Sequence, residues 1–236
     1  AKLAAIIRTT AARGGVVLIP AFAVGRTQTL LHFIHLLKER CEIPADLPVY
    51  LNSPMAAEAT MAYFNYCAGH GAEHRLTREQ VQALRRTAQF VDSPDESRRL
   101  NARSGPMVII AGSGMATGGR VVHHLKAFAP DPRNTILLAG FQAGGTRGAS
   151  IAGGASTVKI HGEYVPVPAQ VETIENLSAH ADAGEILDWL RGFEQAPRET
   201  FITHGEPAAS EALRRGIEEA LGWNCRVPDY LEEVEL

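Results

Sequence analysis

Short, wholly apolar runs alternate with helical patterns along this chain, and that alternation most restricts its fold. Val16-Val17-Leu18-Ile19, Pro48-Val49-Tyr50-Leu51, Met107-Val108-Ile109-Ile110-Ala111 and Thr135-Ile136-Leu137-Leu138-Ala139 show no polar-apolar alternation. Such runs suit strands buried on both faces, as in a sheet covered by helices on each side. Between them lie helical repeats. Leu30, Ile34 and Leu37 share one face over residues 27–39, and a further helix is expected from Arg120 to Phe128, stopped by Pro130-Asp131-Pro132. The fold class is therefore α/β, with a mostly parallel sheet flanked by helices. Sheets of that kind bind ligands beyond the carboxyl ends of their strands.

Boundary signals extend the reading. Leu3, Ile6, Ile7 and Thr10 mark a first helix closed by Gly14 at its C′ position. No capping residue precedes it, which suggests a chain cut from something longer. Ser53-Pro54 supplies an N-cap and an N1 proline. Residues 72–104 are the most polar stretch, with Thr77, Ser93-Pro94 and Asp95 as helix starts. Gly140 to Gly154 is glycine-rich, and Val158 to Val171 alternates and carries prolines, as short edge strands do. Asp182-Ala183-Gly184-Glu185 is a capping box for a helix through Phe193. A strand at Phe201, a helix from about Pro207 to Leu221 and a short strand near Arg226–Tyr230 follow.

The 236 residues allow one large or two modest domains. A net charge of −3 gives no global basic field, so a nucleic-acid ligand would need a local basic cleft. Cys41, Cys67 and Cys225 are far apart and form no CxxC pair, which argues against a disulfide framework or a cysteine zinc site. No apolar run approaches the roughly 18 residues of a membrane span, so no membrane partner is expected and the cytoplasm is the expected compartment.

Chemistry is suggested at strand-to-helix junctions. The loop after Ala111 carries Gly112, Gly114, Gly118 and Gly119 ahead of a helix. Glycines let backbone N–H groups approach an anion, and the helix N-terminus adds partial positive charge. The plain alternative is a turn that needs glycine torsions only. A dinucleotide fold would want a carboxylate at the end of the next strand, but that strand ends Ala139-Gly140-Phe141-Gln142, and no Walker lysine follows the loop. Phosphate binding without a standard nucleotide cofactor is the better fit. Arg26, after Val24-Gly25, could pair with a phosphate and Ser53 could donate to one; taken singly, Arg26 reads better as a solvated charge and Ser53 as a helix cap.

His180 and His204 stand at element ends beside small residues and carboxylates, Asp182 and Glu206. Carboxylates can fix an imidazole's tautomer or raise its basicity. Asp182 has helix capping as its main task. The remaining histidines look structural, and the i,i+4 pair His70 and His74 sits beside Gly69 and Gly71, which disfavour a helix.

Together these segments resemble the β-CASP branch of the metallo-β-lactamase-fold RNA-processing hydrolases. The matching residues are Leu18 to Gln28, Leu51-Asn52-Ser53-Pro54-Met55-Ala56, Gly112-Ser113-Gly114-Met115 with Gly118-Gly119-Arg120, Ser178-Ala179-His180-Ala181-Asp182, and His204-Gly205-Glu206. They recur in family order across nearly the whole chain. The resemblance implies a β-CASP domain over residues 1–172 and the C-terminal segment of the metallo-β-lactamase αββα fold over 173–236. It implies that Arg26, Ser53, Gly112, Ser113 and Gly114 grip RNA phosphates, that His180 assists proton transfer, and that His204 is a zinc ligand.

The family's His-x-His-x-Asp-His motif is absent. A catalytic zinc needs about three protein ligands and an open position, and His204 alone cannot supply them. The resemblance thus implies the C-terminal portion of a ribonuclease whose full-length parent holds two zinc ions, with RNA and the missing N-terminal half as partners. This chain alone is expected to bind no zinc stably and to be inactive. An unpaired sheet edge in the last segment would also allow a homodimer. Two other readings stay open: a catalytically silent scaffold or RNA-binding homologue, and a phosphometabolite-binding α/β domain.

Overall fold

The apolar runs become the strands of one parallel sheet. The computed structural model describes residues 1–69, 77–178 and 180–235; His70, His74 and Ala179 lie outside them. The chain forms two compact units, Ala1–Ser178 and Ala179–Leu236.

In the first unit the elements run α1 (Lys2–Ala12), β1 (Val16–Pro20), α2 (Arg26–Glu39), β2 (Val49–Asn52), α3 (Pro54–Gly69), α4 (Arg78–Thr87), β3 (Gln89–Phe90), α5 (Pro94–Asn101), β4 (Met107–Ala111), α6 (Arg120–Phe128), β5 (Thr135–Ala139), α7 (Arg147–Ala152), β6 (Thr157–Ile160), β7 (Glu163–Pro166) and β8 (Gln170–Ile174). The six-stranded sheet has the order β3-β2-β4-β1-β5-β8, with every neighbouring pair parallel. β6 and β7 form a separate antiparallel hairpin.

Every residue of β1, β4 and β5 is buried, which is why these strands read as unbroken apolar runs. Alternate side chains feed two cores. Leu18, Ile109 and Leu138 pack with Val121 and Leu125 of α6 on one face. Ile19, Ile110 and Leu137 pack with Ile7 of α1 and Leu30 and Ile34 of α2 on the other. Each such side chain contributes about 1.5–3 kcal/mol on leaving water.

β4 returns between β1 and β2, so the helices leaving β1 and β4 go to opposite faces. The carboxyl ends of β1 and β4 therefore flank the point where the winding direction changes, the usual ligand crevice of an open α/β sheet.

Helix ends obey the chemistry of their sequence. α1 closes with Gly14 at φ 73°; Gly14 N–H donates to Ala11 O and Gly15 N–H to Thr10 O, a Schellman turn. Thr77 and Ser93 each close a reciprocal capping box. Two elements depart from expectation. α7 lies inside the glycine-rich stretch, begun by Thr146 accepting from Ala149 N–H. β8 is the sheet's parallel edge strand and runs across position 172.

The second unit comprises α8 (Ala183–Leu190), β9 (Thr200–Phe201), α9 (Pro207–Leu221) and β10 (Cys225–Arg226). β9 and β10 pair in parallel. Leu190, Ile202, Ile217 and Cys225 form its small core. α8 stops at Leu190, short of Phe193, and both strands are two residues long. Among the described residues no helix is long and apolar enough to cross a membrane.

Candidate functional site

In the first unit, Arg26, Ser53 and the Gly112–Gly114 loop stand just beyond the carboxyl ends of β1, β2 and β4. The register pairs Pro20 and Asn52 with Ala111, so the three ends are level. Ser53 caps α3, its Oγ accepting from Ala56 N–H at 3.3 Å. An ideal Cβ on Gly112 would lie 3.0 Å from that Oγ, so glycine permits the close approach of the two loops. Ser113 Oγ is 3.2 Å from Thr117 Oγ1 within the loop. The Gly112–Ser113 peptide is cis. Gly119, at φ 71°, lies against Gly112 O, where a Cβ would stand 2.6 Å away.

Arg26 reaches sideways to β5. A Cβ on Gly140 would meet its Nη1 at 2.3 Å, and Gly140 has φ 118°. Nη1 is buried without a hydrogen-bond partner among the described residues. Burial pushes the guanidinium below its ordinary pKa, yet the group stays protonated at neutral pH. A buried cationic donor with no acceptor is costly, and an anion would relieve that cost.

Gln142 ties the loops together. Its Nε2 shares its two hydrogens among three carbonyls in reach, Gly114 O at 3.2 Å, Gly140 O at 3.3 Å and Phe141 O at 3.2 Å. α7 closes the other side: Gly148 N–H donates to Met115 O at 2.9 Å, and Arg147 donates to Ala116 O and Lys159 O. In the sequence Gln142 stands out only as the absence of a carboxylate, three residues past the end of β5.

Arg120 occupies a position like that of Arg26, straight after a glycine at a helix start, but its guanidinium is spent on the protein. It donates to Asn52 Oδ1 at 2.7 Å, to Val91 O at 2.6 Å and to Asp92 O. With its oxygen so engaged, Asn52 must turn Nδ2 toward Ser97 Oγ (2.8 Å) and His124 Nε2 (2.7 Å). His124 Nε2 therefore accepts and Nδ1–H donates to Asn101 Oδ1. Burial, then the nearby His123 and Arg120, push the His124 pKa down to about 4, so it is neutral at pH 7. This network holds the ends of β2 and β3 to α6.

His180 and His204 belong to the second unit, and both are exposed. Asp182 is the N-cap of α8 in a capping box with Glu185. His204 has φ 65°. It precedes Gly205, on which a Cβ would stand 2.1 Å from Ser210 Oγ. The His204-Gly205-Glu206 turn is thus folded tightly onto the start of α9. Among the described residues no group of three or more His, Cys, Asp or Glu side chains could hold a metal ion. The donor set present therefore does not fit a zinc centre on its own.

Comparison with known proteins agrees with this geometry. Residues 27–151 match the model of the Beta-Casp domain, and residues 160–228 match that of the Zn-dependent metallo-hydrolase RNA specificity domain. Ribonuclease TTHA0252 of Thermus thermophilus is 40% identical over 88% of this chain and 47% of its own length. Transcription termination factor FttA of Pyrococcus abyssi is 33% identical over 100% of the chain and 37% of its length. Integrator complex subunit 11 of Gallus gallus is 31% identical over 94% of the chain and 36% of its length. The chain spans less than half the length of these relatives.

Proposed function

The chain belongs to the β-CASP family, and from that premise we propose that it supplies the RNA grip and the closing site motifs of a zinc-dependent ribonuclease. Residues 1–172 act as the grip and 173–236 as the closing segment. The carrying observation lies at the carboxyl ends of β1, β4 and β5, where Arg26 Nη1 is buried without an acceptor among the described residues, beside glycine-lined loops. A backbone phosphate is the acceptor that suits it, with Ser53, Ser113 and the amides around Gly112 and Gly114 as further donors. His180 assists proton transfer. His204 is one zinc ligand in the longer protein, and the remaining donors come from residues outside this chain. When bound there, zinc would activate water and offset charge on the phosphate; the 236-residue chain does not cut RNA by itself.

The test is RNA binding by the chain at several salt concentrations. Arg26→Ala should weaken binding about tenfold and reduce the salt slope by about one, uniformly across sequences. No RNA binding at low salt, or an unchanged Arg26→Ala variant, would overturn the reading. A chain that binds mononucleotides and has no affinity for RNA would instead favour a phosphometabolite site.

A further inference from the structure

Two phenylalanines at the same end of the sheet are left in solvent. Phe22 follows β1 by two residues and is 49% exposed; Phe141 follows β5 by two residues and is 67% exposed. β1 and β5 are neighbours in the sheet. Exposing aromatic rings of this size forgoes burial that the core could have used.

The Phe22 ring and the Phe141 backbone are both fixed by the loops around Arg26. Phe22 lies against Gly114, where a Cβ would stand 2.7 Å from its Cδ2, so the glycine seats one part of the ring while the rest faces water. Gln142 Nε2 binds the carbonyl of that same Gly114 and the carbonyl of Phe141 itself. Gly140, immediately before Phe141, is the residue over which the Arg26 guanidinium lies. Neighbouring strand-end loops therefore carry two exposed aromatic side chains and an arginine whose Nη1 has no partner among the described residues.

A ligand that satisfies all three must offer an anion and flat apolar faces on one flexible chain. Resting on the RNA reading above, we infer that Phe22 and Phe141 are base-stacking platforms, each taking an unstacked nucleobase while Arg26 holds the adjoining phosphate. Every base has a π-face, so such a platform grips single-stranded RNA without selecting its sequence. A duplex keeps its bases stacked inside and gains nothing from the rings.

The experiment uses the 236-residue chain with two probes: an oligoadenylate of about ten nucleotides, within single-strand site sizes, and a ribose-phosphate oligomer of equal length without bases. Anisotropy at fixed salt should show the oligoadenylate bound roughly tenfold or more tightly. Phe22→Leu and Phe141→Leu, which keep apolar bulk and remove the ring, should each lose at least about fivefold for oligoadenylate, the lower end of stacking contributions. They should leave the base-free oligomer unaffected. Phe141→Tyr keeps a ring and should bind like the parent, which controls for folding. Equal affinity for the two probes, or leucine variants that bind like the parent, would overturn the inference. A change of oligomeric state in the leucine variants with base preference intact would assign the rings to a protein contact and also overturn it. If neither probe binds, the RNA reading itself has failed, an outcome distinct from a base-independent grip.

Discussion

Arg26 lays its guanidinium across Gly140, with Nη1 2.3 Å from the point a Cβ would occupy. The arginine starts α2 and the glycine follows β5, so a cation and the backbone that shelters it stand 114 positions apart in the chain. Gly140 is required twice over, by its φ of 118° and by the side chain above it.

Gly140→Ala should therefore displace Arg26 and strain the turn. Its cost in denaturant unfolding should be about 1–3 kcal/mol. RNA affinity should fall as far as in Arg26→Ala, and the double variant should bind no worse than either single one, because both remove the same contact. Additive losses in a binding titration would separate the two residues.

His124 makes stability depend on pH. Its folded pKa of about 4 lies below the ordinary histidine value of 6.5. Between those values the unfolded chain binds the extra proton, so stability is full above about pH 6.5 and is lost as pH falls toward 4. The full shift corresponds to about 3 kcal/mol. Carboxylates titrate in the same range, so the readout is the difference between the parent and His124→Gln. The variant should show a shallower loss in guanidinium unfolding between pH 7 and pH 4.

The turn after His204 offers a paired test. Gly205→Ala should destabilise the second unit by about 1–3 kcal/mol, since its Cβ would overlap Ser210 Oγ. Adding Ser210→Ala removes that oxygen, which is buried without a partner among the described residues, and should restore most of the loss. Thermal unfolding monitored at Trp189 and Trp223 would report it, and failure of the rescue would point to the backbone instead.

The metal prediction concerns the donor set. The purified chain should show no zinc-dependent nuclease activity, and neither zinc nor chelator should move its Tm. If the proposed zinc role of His204 holds, His204→Ala in a protein that joins this chain to the remaining zinc donors should lower bound zinc. Unchanged stoichiometry would remove His204 from the ligand set.

Central parallel strands must be apolar on both faces, so β1, β2, β4 and β5 were legible as sequence. Caps were equally legible: Thr77, Ser93 and Asp182 each pair with a residue three positions on. Short β3 and α7 were not, because β3 is two residues long and α7 is built of Gly, Ala and Ser with little apolar periodicity. The clearest gap concerns Gly25-Arg26 and Gly119-Arg120. Both are a glycine followed by the first arginine of a helix, yet one guanidinium is spent on Asn52, Val91 and Asp92 while the other keeps a donor unspent. That difference is set by which strand end lies opposite, a matter of topology that neither dipeptide contains. Gln142 escaped notice for the same reason, since its partners Gly114 and Gly140 meet only once β4 and β5 are in the sheet.

β1 carries the loop that ends in Arg26, and it is bonded on both sides, to β4 and to β5. Amide hydrogens at Leu18 and Ile19 can reach solvent only when the whole sheet opens, so their exchange should track global unfolding. The grip mounted on this strand has no private way to loosen. On the proposed reading, RNA bound there would act as a thermodynamic brake on the entire first unit, and slower exchange in β1 on ligand addition would register occupancy without any reaction taking place.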